Sequence, residues 1–337
     1  MNKPVNHPEV STGKVGVLLV NLGTPDQLTV PSVRRYLRQF LSDSRVVTLP
    51  RLLWLPLLNL VILNVRPKKS LAAYSKIWRK EDNQSPLRYY TEQLTKGIAA
   101  AKSGAVVEFA MRYGEPAIDK KMAEMQKAGC DRILVVPLYP QYSATTNATV
   151  VDEVFRYLKK QVWQPSVRIA APWYKHPAYI EALKAQVVQH IEEKQSQPDK
   201  ILLSFHGLPE KSLEDGDPYY CQCMVTGRLL AEALGKTGDE VMVTFQSRFG
   251  PATWLQPYTA EVLESLPAKG VNNILVLTPG FVADCIETLE EIAIEGKGDF
   301  IAAGGKACDV LPCLNDSAEG LDVMNTVVTE ELAGWLD

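Results

Sequence analysis

Four short apolar stretches, each closed by a Gly/Pro turn, run through the first half of the chain and recur in the same order in the second. Gly16-Val17-Leu18-Leu19-Val20-Asn21-Leu22, turning at Gly23-Thr24-Pro25, is answered by Ile201-Leu202-Leu203-Ser204-Phe205-His206, turning at Gly207-Leu208-Pro209. Val106 to Pro116 and Val241 to Pro251 share an apolar run, an arginine, an aromatic and a glycine near a proline. Ile133 to Pro137 matches Ile274 to Pro279, and Val167 to Pro172 matches Cys308 to Pro312. Continuous apolar runs of this length read as strands buried on both faces. The helical patterns between them, such as Tyr179 to Glu193 and Leu229 to Leu234, imply parallel sheets flanked by helices on both sides. The expected fold class is α/β: two doubly wound domains of similar plan, related by the internal repeat. The first is expected over residues 14–175 and the second over 176–320, with a C-terminal helix over 321–337 whose pattern begins near Glu319 and reaches Trp335. Two such domains leave a cleft where the carboxyl ends of both sheets meet, the default place for a ligand.

Composition narrows the function. At 337 residues, 46% hydrophobic and 22% charged, the chain has the balance of a soluble globular protein. A net charge of −3 gives no electrostatic footprint for nucleic acid, so no nucleic-acid partner is expected. The opening Met1 to His7 is polar and lacks a secretory h-region, which points to the cytoplasm. Six cysteines (Cys130, Cys221, Cys223, Cys285, Cys308, Cys313) in a chain this long do not make a disulfide scaffold, and Cys221-x-Cys223 lacks the second pair of a zinc site. There is no G-x-S-x-G and no G-x-G-x-x-G after a strand, which removes that type of serine hydrolase and a dinucleotide site. Gly235-Lys236-Thr237 imitates a phosphate loop, but Leu230 stands where its first glycine is required.

The two halves differ between their first and second strands, where the first half carries an excursion over about residues 45–95 that includes the apolar run Leu49 to Leu63. Pro50, Arg51, Pro56 and Asn59 interrupt that run, and it falls short of the roughly twenty apolar residues a spanning helix needs. Either it packs as core, or it forms a lip that lies on a membrane or covers a greasy ligand, with Arg66, Lys68 and Lys69 suited to anionic head groups.

Chemistry concentrates in the second half. His206 ends a strand where an open α/β sheet faces its ligand crevice, so its imidazole either exchanges protons there or merely caps its own turn. After Pro279-Gly280, a helix would set Asp284, Glu287 and Glu291 at i, i+3 and i+7, a row of carboxylates opposite an apolar stripe of Cys285, Ile286, Leu289, Ile292 and Ala293. That row is either a solvated face or, with His206, the wall of a site that holds a divalent metal or passes protons. Trp254 follows the second strand of this half and either packs in the core or offers a flat face to a planar ligand.

Ser204-Phe205-His206-Gly207-Leu208-Pro209 with Gly216-Asp217-Pro218-Tyr219 resembles the ferrochelatase signature. The resemblance extends over nearly the whole chain, through Asn21 to Pro25, Met111 to Gly114, Pro137 to Ser143, Gln246-Ser247-Arg248 with Trp254, and Asp284 to Glu291. It implies two flavodoxin-like, chelatase-like domains and insertion of ferrous iron into protoporphyrin IX to give protohaem. It also implies His206 and Glu287 as the catalytic and metal-meeting pair, and Asp284 and Glu291 as a path for protons or iron. Leu22, Arg112, Tyr113, Tyr219 and Trp254 would contact the porphyrin. Some relatives carry Met where this chain has Leu22, so a thioether contact to the metal is unavailable here. Some members hold a [2Fe–2S] cluster on a C-terminal cysteine extension; this chain ends at Asp337 without one, so no cofactor beyond the substrate Fe2+ is expected. Protoporphyrin partitions into membranes, which favours peripheral contact of the lip with the cytoplasmic face of the inner membrane. The alternatives are a chelatase for another tetrapyrrole (coproporphyrin with iron, or sirohydrochlorin with cobalt) and a haem-binding protein without catalysis.

Overall fold

β1 (Lys14–Gly23), β2 (Ala105–Tyr113), β3 (Cys130–Pro137) and β4 (Ser166–Ile169) form one parallel sheet in the order β2-β1-β3-β4. β5 (Lys200–His206), β6 (Val241–Gln246), β7 (Asn273–Leu277) and β8 (Ala307–Val310) form a second in the equivalent order β6-β5-β7-β8. The repeat read from the sequence is thus a repeat of topology. The structure, a computed structural model, describes residues 6–7 and 10–336. Most of the polar opening segment, and Asp337 at the end of the expected C-terminal helix, lie outside the described residues.

Helices connect the strands. In the first lobe they are α1 (Val30–Leu41), α2 (Arg51–Leu57), α3 (Leu63–Ile77), α4 (Pro86–Ala101), α5 (Ile118–Lys127) and α6 (Asn147–Leu158). The second lobe carries α7 (Pro177–Lys194), α8 (Glu210–Glu214), α9 (Tyr219–Ala233), α10 (Thr259–Ser265), α11 (Lys297–Ala302) and α12 (Ala318–Glu331). Thr29, Ser85 and Ser317 cap α1, α4 and α12 by accepting a backbone N–H three residues on, satisfying a donor that would otherwise be orphaned. Pro86 and Pro177, each at the start of its helix, give up an N–H that has no intrahelical partner there. α12 stops at Glu331, short of the expected Trp335, because Arg168 and Arg132 donate to the carbonyls of Glu331, Ala333 and Trp335 and strap the last residues to the first lobe.

Alternation along the strands divides the core. On β1, Val15, Val17 and Leu19 face one way, while Leu18 and Val20 meet Met122, Met125, Val150 and Val154 of α5 and α6 on the other. On β5, Ile201, Leu203 and Phe205 face inward and Leu202 packs outward with Leu263, Ile292 and Phe300. The inner faces of both sheets belong to one apolar cluster with residues of α4, α7, α9 and α12. The two lobes are therefore held by a continuous core rather than by a polar seam.

The apolar excursion is helical from Arg51 to Ile77, across Pro56 and Asn59. Pro56 withdraws a donor just before a π-helical turn at Leu58–Ile62. Asn59 and Asn64 donate their side-chain amides to the carbonyls of Leu55 and Leu60, so the helix runs on. The excursion is also split by face. Trp54, Leu58 and Leu63 are buried with α1 and Tyr113, and Trp54 donates Nε1–H to Leu41 O. Leu52, 91% exposed, and Leu60, 74% exposed, point outward with Leu49, Leu53, Leu57, Val61 and Val65.

Candidate active site

The two strand ends that open the repeat are built alike. At Gly23, φ is +115° and a Cβ would stand 1.7 Å from Tyr113 O. At Gly207 a Cβ would stand 2.6 Å from Gln246 O. Only glycine lets each chain turn this close to its neighbouring strand, which leaves the residues before the turn, Leu22 and His206, at the carboxyl edges of their sheets.

The segment 216–222 draws these edges together. Asp217 accepts from Ser143 Oγ at 3.1 Å and the Ala144 N–H at 2.8 Å across the lobe boundary, and from the Tyr219 N–H at 3.0 Å on its own side. Gln222 Oε1 accepts from the Tyr142 N–H, and Gln141 Nε2 donates to Thr226 Oγ1. The Gly-Asp-Pro-Tyr motif is thus an inter-lobe clamp. Tyr219 lies behind it in the shared core, with its hydroxyl pushed well above the ordinary range, chiefly by burial.

His206 is half-buried, and its ring meets Phe281 edge-on with centroids 6.4 Å apart. Neither ring nitrogen has a hydrogen-bond partner among the described residues, so the imidazole does not cap its own turn. In the β5–β6 ladder its partner is Gln246. The Gln246 amide is fixed on both sides: Oε1 accepts from Ser204 Oγ at 2.8 Å, while Nε2 donates to Glu287 O at 2.8 Å and to Glu291 Oε2 at 3.1 Å. His206 and Glu287 are therefore both direct partners of Gln246, without a hydrogen bond or ion pair between them among the described residues.

The acidic helix departs from the expected α-helical row. It is a π-helix, Glu287–Gly296, continuing into α11, a rare form frequently found at functional sites. Asp284 precedes it and is buried, accepting from Thr288, Cys313 and Asn315. Glu291 is tied to Ser247 through both N–H and Oγ. Glu290, absent from the expected row, reaches Lys76 of α3 at 2.5 Å and so joins this helix to the apolar excursion. Burial pushes the hydroxyls of Tyr36, Tyr74 and Tyr139 well up, and the Glu287 carboxylate adds to the rise in all three. The buried Tyr139 hydroxyl has no partner among the described residues, and neither has Trp254 Nε1, whose ring edge would meet a Cβ at Gly207 at 3.2 Å.

Arg112 is half-buried and Tyr113 buried. Arg112 donates to Asp43 and to Thr149 O at 2.8 Å, with Glu153 at 3.8 Å, and Tyr113, 1% exposed, gives its hydroxyl to Asp43. Leu22 packs between two apolar clusters beside Tyr113. Among the described residues no three His, Cys, Asp or Glu side chains converge on a common point as a ready-made metal cage. Sequence reasoning missed the bracing role of Gln246. The one available signal was Gln246 itself, a polar side chain at the end of an otherwise apolar strand.

Two lobes of parallel α/β sheet with a site at their facing carboxyl edges define the chelatase fold, and solved chelatases share it. "SirB from Bacillus subtilis with Fe3+" superposes with a TM-score of 0.60 at 14% identity, covering 96% of this chain and 97% of that one. CbiX, titled the terminal enzyme for biosynthesis of sirohaem in denitrifying bacteria, superposes at 0.54 with 14% identity, covering 94% and 98%. The ferrochelatase family pattern matches residues 14–332. The ferrochelatase of Rhizobium meliloti (strain 1021) is 52% identical over 100% of both chains, and that of Agrobacterium fabrum is 50% identical over 99% of this chain and 98% of its own. The chain belongs to the ferrochelatase family, enzymes of the terminal step of haem biosynthesis.

Proposed function

We propose that this chain inserts ferrous iron into protoporphyrin IX with the ring held between the two sheet edges. His206 takes up the pyrrole protons, Glu287 meets the incoming ion, and Glu291 continues the acidic face towards solvent. Metallation must remove two N–H protons from the ring and accept an ion that has shed its water, so it needs a base and a carboxylate on one side of a plane. The observation that carries the reading is the shared bracing of these two groups. Gln246 pairs with His206 through its backbone and holds the Glu287 backbone through its side chain. Trp254 and Leu22 supply apolar contact to the ring. Arg66, half-buried over the Phe249 ring at 5.0 Å and facing no carboxylate among the described residues, suits an anionic group on the porphyrin edge rather than the lipid head groups expected from the sequence.

The test is anaerobic turnover compared side by side for iron with protoporphyrin, iron with coproporphyrin, and cobalt with sirohydrochlorin. Protoporphyrin is expected to be metallated fastest. Faster turnover of either competitor reassigns the substrate, and haem binding without metallation of any free ring overturns catalysis.

The apolar excursion supports peripheral contact with a bilayer. Its outward leucines and valines form one exposed face, with Lys68 and Lys69 exposed one turn further along α3. An amphipathic helix of this kind binds in the interface plane, with its basic residues drawn to anionic lipids. No helix among the described residues is long and apolar enough to cross a membrane.

A further inference from the structure

Asp284 and Asn315 meet as a reciprocal pair just ahead of the π-helix. The Asp284 N–H donates to Asn315 Oδ1 at 2.8 Å, and Asn315 Nδ2 donates back to Asp284 Oδ2 at 2.7 Å. The other carboxylate oxygen accepts from Thr288 Oγ1 at 2.9 Å and from the Cys313 N–H at 3.2 Å. Both residues are buried, at 3% and 7% exposure. Asn315 holds a left-handed backbone, φ +52°, and its own N–H donates to Val282 O. The segment after β8 is thereby stitched to the chain on both sides of Glu287: to Val282 and Asp284 before it, and through Asp284 to Thr288 after it.

We propose that Asp284 and Asn315 are positioning residues, a complementary pair that fixes the entry of the π-helix and with it the Glu287 carboxylate, and that neither passes protons or iron itself. The inference rests on the reading of Glu287 as the metal-facing acid. Both Asp284 oxygens are engaged by donors of the chain itself and the residue is 3% exposed, as befits an anchor, whereas Glu291, though also bonded, is only half-buried.

The pair can be exchanged without losing a bond. In Asp284→Asn/Asn315→Asp, the amide oxygen at 284 still accepts from Thr288 and Cys313. Its NH2 group donates to the new carboxylate at 315, which still accepts the backbone N–H of 284. Either change alone fails: Asp284→Asn sets two NH2 groups against each other, and Asn315→Asp sets two carboxylates together. Each single variant, checked as folded by circular dichroism, is expected to lower kcat for zinc insertion about 10-fold or more with the porphyrin KM within about two-fold. The exchange variant is expected to recover to within about three-fold of wild type, the signature of a coupled pair. Glu287→Gln is assayed alongside and is expected to be inactive. An exchange variant as slow as the slower single, beside an inactive Glu287→Gln, overturns the positioning role, because an acid at 284 would then be needed for the chemistry. Single variants that lose thermal stability but keep wild-type kcat also overturn it. A fully active Glu287→Gln instead removes the underlying site reading, and this inference with it.

Discussion

Gln246 donates its side-chain amide to the backbone carbonyl of Glu287 at 2.8 Å while its own backbone pairs with His206 in the β5–β6 ladder. One residue thus sets His206 and Glu287 relative to each other, and its amide orientation is fixed by Ser204 Oγ. Gln246→Leu would remove the acceptor at one side of the buried Ser204 hydroxyl, which keeps Thr259 Oγ1, and the side-chain donor to the Glu287 carbonyl, a loss of about 1–3 kcal/mol in all. Chemical denaturation is expected to register a loss in that range, and metallation at a temperature where the variant remains folded is expected to slow by more than its porphyrin KM changes.

Asp217 anchors the inter-lobe clamp by accepting from Ser143, Ala144 and Tyr219. Hydrogen bonds to a charged acceptor contribute about 1.5–3 kcal/mol each, though they share one carboxylate and do not simply add. Asp217→Ala is expected to lose about 2–4 kcal/mol in urea unfolding, with Ser143→Ala milder because the Ala144 and Tyr219 contacts survive.

The exposed and buried halves of the excursion separate membrane contact from stability. Leu52→Asp with Leu60→Asp is expected to abolish flotation with vesicles containing anionic lipid while leaving the melting temperature within a degree or two. Trp54→Asp is expected to unfold the region instead, since it buries a charge where the indole packs and donates to Leu41 O. Unchanged flotation of the double variant would remove the membrane contact from the account.

Burial pushes the Cys308 thiol up to about 11 from an ordinary 9.0. The folded chain therefore holds this proton where the unfolded chain releases it. That contribution to stability is fully present below about pH 9 and is lost as pH rises towards 11. Cys308→Val is expected to flatten this alkaline slope in denaturation curves taken between those values. Alkylation of the native protein near pH 8 is expected at Cys221, the exposed thiol, before any of the buried ones.

The fold was legible because each strand of the repeat is an apolar run ending at a glycine or proline, and at Gly23 and Gly207 the turn is one that only glycine can make. His206 was legible for the same reason: the end of such a strand is a fixed place in an α/β sheet. Glu287 was legible as a residue but not in its setting. An acidic run spaced for an α-helix can also wind as a π-helix, and the bonds that select the latter entry come from Asn315 and Cys313, distant in sequence. The burial of Trp54 was hidden because prolines and asparagine made the excursion look broken, whereas Asn59 and Asn64 repair the helix with their own amides. The ion pairs of Arg112 with Asp43 and Glu153 were not legible because those partners are distant in sequence.

The central claim is that His206 and Glu287 together metallate the ring, and pre-steady-state zinc insertion into protoporphyrin tests it most directly. His206→Ala and Glu287→Gln are each expected to slow the single-turnover rate by about 100-fold or more, with porphyrin still binding within a few-fold of wild type. Turnover at the wild-type rate in both variants would contradict it.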